Sequence, residues 1–185
     1  MLSTEHNQLL IQIARQSIAH GLEKKSGLSL SLDEYPENLR ETRATFVTLK
    51  IDAQLRGCIG TTKPLSPLVL SVSDNAYSSA FRDPRFKPLT PEEFELINIS
   101  ISILTPSTPI AFTCEYDLFA QLRPGIDGLI IERNNQRATF LPAVWEQLPN
   151  PEDFLKHLKL KAGMRLDHIP ERAWIYQSIS IEEEK

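Results

Sequence analysis

The chain has 185 residues, 41% of them hydrophobic and 24% charged, the balance of a globular protein with room for one substantial core. Its formal net charge of −4, from 20 Lys and Arg against 24 Asp and Glu, excludes a nucleic-acid binder that works through overall basicity. Apolar runs are only a few residues long, far short of a membrane span, and Cys58 and Cys114 alone cannot build a disulfide framework.

The first residues show no basic stretch followed by a continuous apolar one, so they do not read as a signal peptide. With so little cysteine, the expected location is cytoplasmic, with free thiols. Ser3 or Thr4 is placed to cap a first helix in which Leu9, Leu10, Ile13, Ala14 and Ile18 recur at helical spacing, with Gly21 as its stop. Residues 26–41, broken by Pro36, read as a loop. The period then changes. ATFVTLKI and LRGCIGTT, separated by Asp52, Ala53 and Gln54, predict two strands joined by a short turn.

Ser66 and Pro67 offer a cap and first position for a helix running to Phe81, and Thr90, Pro91 and Glu93 form a capping box for another. Ile97, Ile99, Ile101 and Ile103 alternate with Asn98, Ser100 and Ser102, the pattern of a half-buried strand. A short helix around Asp117 to Leu122 precedes the turn RPGIDG and a hairpin through Asn134 and Asn135. Asn150, Pro151 and Asp153 open a last helix stopped by Gly163; AWIYQSISI reads as one closing strand, and Glu182, Glu183 and Glu184 as a solvated tail. Hairpin-connected strands with helices between the pairs predict an α+β fold with a mostly antiparallel sheet and flanking helices.

Most chemical motifs are missing. GCIGTTK is not a phosphate loop, because Lys63 follows two threonines and precedes Pro64. The four histidines, His6, His20, His157 and His168, have no metal-ligand spacing, and there is no nucleophile elbow. The sequence proposes no metal and identifies no cofactor.

What stands out is LRGCIGTT. Strict strand alternation would place Arg56 and Cys58 on one face, about 7 Å apart. A guanidinium at that distance favours a thiolate by roughly 2 kcal/mol at an effective dielectric of ~20, and far less in water. Cys58 is therefore a candidate nucleophile and Arg56 its candidate activator, against the plainer reading of a small buried cysteine between glycines that relieve crowding. In AFRDPRF, Asp83 is placed to cap a turn or pair with an arginine, and Arg85 to present a guanidinium to an anionic group.

LRGCIGT, preceded by TFVTL and followed by DPRF, GIDGLII, ATFLP and FLKHLKLKAG, resembles the AMMECR domain family, over about Thr45 to Gly163. The chain departs from that pattern at Ala44, where glycine is expected, and at Thr62, where a larger apolar residue is common. The resemblance implies one domain over 1–185, with a larger and a smaller subdomain meeting at a groove near LRGCIG. Gly57, Gly60, Thr61, Asp83 and Arg85 would be binding residues beside Cys58 and Arg56. Prokaryotic members are linked to a Memo-like protein and a radical-SAM protein, which makes these the expected partners. No reaction comes with the family. A binding or accessory module is the favoured expectation, and a cysteine-dependent enzyme acting on a small anionic molecule the alternative.

Overall fold

The computed structural model describes residues 2–183, folded as two compact units: residues up to Ile103 together with those from Ile179 onward, and Leu104–Ser178. The chain is α+β, with a four-stranded sheet in each unit.

In the first unit, helix α1 (Thr4–Lys24) starts at Ser3, whose hydroxyl accepts from the His6 N–H while the His6 ring accepts from the Ser3 N–H. It does not stop at Gly21. The helix continues to Lys24 and ends on Lys25 in the left-handed region, because Gly21 is needed inside it: a Cβ there would run into the rings of Tyr77 and Phe81. The stretch read as a loop contains a 3₁₀ turn, Leu32–Glu34, and the short helix α2 (Glu37–Arg40), which buries Leu39. Strands β1 (Thr45–Ile51) and β2 (Gln54–Gly60) form a tight hairpin. Helix α3 (Leu68–Phe81) starts one residue later than the Ser66 cap implies, with no side-chain cap. Helix α4 (Pro91–Leu96) has the expected capping box between Thr90 and Glu93.

Strand β3 (Asn98–Leu104) pairs antiparallel with β1, with Ile97, Ile99, Ile101 and Ile103 all buried. The strand order is β2-β1-β3-β8, where β8 is Ser178–Glu182. The isoleucines meet Leu10, Ile13, Ala14 and Ile18 of α1 and Val69, Val72, Ala76 and Ala80 of α3 in one core.

The second unit contains β4 (Thr108–Ile110), α5 (Glu115–Gln121), β5 (Gly128–Arg133), β6 (Gln136–Phe140), α6 (Pro151–Ala162) and β7 (Arg172–Tyr176), its strands ordered β4-β7-β5-β6. Trp145 stacks on Phe154 at 3.7 Å between ring centroids, over Leu118, Leu129, Ile131 and Leu158. Among the described residues no helix is long and apolar enough to cross a membrane.

Two expectations change at the end of the chain. AWIYQSISI is not one strand: Gln177 separates β7, in the second sheet, from β8, in the first. Nor is the acidic run simply solvated. The Glu183 carboxylate grips Arg15 and accepts from the Ile99 N–H, while Arg15 also donates to the carbonyls of Phe94 and Ile97. Glu184 lies outside the described residues.

The β1–β2 turn carries local strain. Asp52 and Ala53 both have positive φ, 48° and 64°, as a two-residue primed turn requires. Alanine holds that conformation at a cost of about 1 kcal/mol. Ala53→Gly should therefore stabilise the protein by about 0.5–1 kcal/mol, read as a higher urea midpoint with an unchanged slope; a lower midpoint would show that the turn is not strained there.

Candidate functional site

β2 is the terminal strand of its sheet, so the outward backbone groups of Cys58 find no partner strand. Two side chains take that place. Cys58 N–H donates to Asp83 Oδ2 at 2.9 Å, and Arg85 Nη2 donates to the Cys58 carbonyl at 3.2 Å. Opposite Cys58 on β1 is Thr48, whose hydroxyl donates to Sγ at 3.3 Å. The thiol is only partly exposed.

Asp83 lies just past the end of α3 with its side chain 1% exposed. Its carboxylate also accepts from the Arg85 backbone N–H at 3.1 Å, from Nε at 2.9 Å and from Nη2 at 2.7 Å. The Arg85 guanidinium, helped by the backbone N–H groups of Cys58 and Arg85, holds the Asp83 carboxyl far below the usual carboxylate range despite its burial. Arg85 itself remains 53% exposed, so one face of its fork is open to an anionic group.

Arg56 goes elsewhere. The β1–β2 register slips between Leu49 and Lys50, leaving Arg56 as the extra residue of a bulge, outside the strict alternation of the strand. It donates through Nε and Nη2 to Glu93, each at 2.8 Å, and through Nη2 to the Lys87 carbonyl at 2.9 Å. Arg56 in turn lowers the Glu93 pKa, so one carboxylate both caps α4 and neutralises Arg56. The two arginines meet across Phe86: Arg56 Cζ lies 5.7 Å from its ring centroid and Arg85 Cζ 5.5 Å.

The remaining motif residues set the backbone. A Cβ on Gly57 would lie 2.1 Å from the Ser79 carbonyl oxygen of α3, and one on Gly60 would lie 2.3 Å from the Thr45 carbonyl oxygen. Thr61 returns its N–H to the Thr45 carbonyl and accepts the Lys63 N–H, turning the chain away from the sheet. The structure thus joins Cys58, Asp83 and Arg85 in one hydrogen-bonded group and holds Arg56 beside it across Phe86. Thr48, Ser79 and Glu93 are partners that sequence reasoning missed. Of these only Glu93 carried a signal, and that signal pointed to helix capping. Among the described residues no group of three or more His, Cys, Asp or Glu could hold a metal ion.

Two outcomes follow from this geometry. Gly57→Ala should cost about 1–3 kcal/mol, because the atom in the way is backbone; Gly27→Ala, with nothing within 4 Å, should change stability by less than about 0.5 kcal/mol. Equal effects would mean that β2 and α3 are not in close contact. The stability supplied by Asp83 is present above the ordinary carboxylate pKa of about 3.9 and is lost as pH falls toward its depressed folded value. Asp83→Asn should therefore cost about 2–3 kcal/mol at neutral pH, a gap from wild type that narrows between about pH 4 and pH 2; a pH-independent gap would contradict the buried ion pair.

Residues 11–181 match the family model described as AMMECR1. A Methanothermobacter thermautotrophicus protein is 38% identical over 167 residues, covering 90% of this chain and 86% of its own. A Methanocaldococcus jannaschii protein is 35% identical over 98% of this chain and 88% of its own. The crystal structure of an uncharacterised protein from Pyrococcus horikoshii superposes with a TM-score of 0.89 at 30% identity, over 99% of this chain and 94% of that one. With the LRGCIG and DPRF segments folded into one site and the match running through both units, the chain belongs to the AMMECR1 family.

Proposed function

We propose that this chain is a cytoplasmic binding or accessory module whose Cys58–Arg85–Phe86 face receives a protein partner, with Memo-like and radical-SAM proteins as its partners. One observation carries the reading: both carboxylates of the face are engaged by its arginines. Asp83 is consumed by Arg85 and the Cys58 N–H, and Glu93 by Arg56. Neither is left as a general base for the thiol, so a cysteine nucleophile here would depend on thiolate stabilisation by a neighbouring cation alone. What remains presented is a half-exposed guanidinium, a partly exposed aromatic ring and a thiol, a composition suited to docking.

A second reading, cysteine-dependent chemistry on a small anionic substrate, draws support from the Thr48 hydrogen bond to Sγ and from the open side of Arg85. Two substitutions separate them. With the Memo-like and radical-SAM proteins of the same genome as titrants, Arg85→Glu should weaken binding at least tenfold while Cys58→Ser changes it less than about twofold. Unchanged affinity in Arg85→Glu would reject docking on this face. Under the enzymatic reading, iodoacetamide would label Cys58 faster than Cys114 in the folded protein; under the docking reading it would not.

A further inference from the structure

A groove in the first unit shares no residue with the Cys58 face. It has a volume of about 550 Å³ and lies between α1 and β8, lined by Thr4, Asn7, Gln8, Ile11 and Gln12 and by residues 180–183. The helix residues recur at three- and four-residue intervals and so form one stripe along α1. From Thr4 to Gln12 that stripe runs about 12 Å, and four residues of extended strand cover about the same length.

The strand side is a sheet edge, because β8 is terminal in the order β2-β1-β3-β8. Glu183 turns its N–H inward to the Ile99 carbonyl, so alternation directs the backbone groups of Glu182 and Ser180 outward, into the groove. On the helix side, Thr4, Asn7, Gln8 and Gln12 give the groove a polar wall. The floor is apolar, with Ile11 9% and Ile181 5% exposed. Among the described residues the charges have one sign: Glu182 and Glu183 line the groove with no Lys, Arg or His, and Arg15 holds Glu183, which leaves Glu182 exposed with no ion-pair partner among them.

We propose that this groove binds an extended, lysine- or arginine-bearing segment of a partner protein as an added strand on β8. Its backbone pairs with the outward groups of Ser180 and Glu182, and its basic side chain meets Glu182. A helix lying along an edge strand is the setting in which peptides are captured by strand addition, the ladder giving affinity and the flanking side chains selectivity.

The test uses the full chain and blocked, fluorescein-labelled pentapeptides alternating valine with lysine or with glutamate. The lysine peptide should bind at least tenfold tighter, Glu182→Lys should reverse that order, and binding should slow amide exchange at Ser180 and Glu182. Gln12→Arg, a change at an exposed position on the helix side of the groove, should weaken binding of the lysine peptide at least tenfold. Equal affinity for the two peptides, or unchanged exchange on β8, would overturn the proposal. So would spermidine displacing a backbone N-methylated lysine peptide that binds as well as the unmodified one, since that marks a cation site without a ladder. The two surfaces are separate, so failure here leaves the reading of the Cys58 face standing.

Discussion

Helix α3 runs so close to the β1–β2 hairpin that the Ser79 carbonyl oxygen occupies the space where a side chain at position 57 would begin. Three features depend on that distance. Ser79 Oγ reaches into the hairpin, accepting from the Ile59 N–H and donating to the Val47 carbonyl, each at 2.8 Å. Thr45, Ser71 and Asn75 close a second hydrogen-bonded link between strand and helix. The helix exit then delivers Asp83 to the Cys58 N–H, and with it Arg85. Beside the larger Leu68, Val69, Val72 and Tyr77, the buried residues of α3 include the small Ser71, Ser73, Ala76, Ser79 and Ala80, which permit such an approach. The cysteine motif and the DPRF motif are thus two halves of one packing contact.

The second unit uses the same chemistry independently. Asp127 is 1% exposed at its side chain and accepts from the Arg123 backbone N–H, Nε and Nη2, while Arg123 stays 55% exposed and Trp145 Nε1 binds the Asp127 carbonyl. In each case a buried carboxylate is satisfied by an arginine a few residues away whose outer face stays wet. The planar fork meets both carboxylate oxygens, so burial leaves no charge unpaired and the turn between the two residues is fixed.

Local signals in the sequence were legible where they act locally. The isoleucine alternation of β3, the Thr90 capping box and the Gly163 helix end need only their own neighbours to be read. Gly21 was misread because a glycine that stops a helix and one that admits two aromatic rings look alike until Tyr77 and Phe81 are brought against it. The bulge at Arg56 was invisible for a related reason. Nothing in LRGCIG announces an extra residue, and the carboxylate that draws Arg56 away, Glu93, sits 37 positions along the chain. Cys58, Asp83 and Arg85 could be nominated singly. That the two side chains stand in for a missing strand beside Cys58 required the sheet order.

The single residue between β7 and β8 imposes an order on synthesis. Residues up to Leu104 leave the ribosome with the outer side of β3 unpaired, and the strand that covers it arrives only after residues 105–177 have emerged. Arg15, made near the start, likewise waits for Glu183. During that interval β3 is an apolar strand with an open edge, the form most prone to pairing with another nascent chain. The alternation of Asn98, Ser100 and Ser102 along β3 confines the apolar surface exposed in that interval to one face of the strand, but its open edge stays available until β8 arrives.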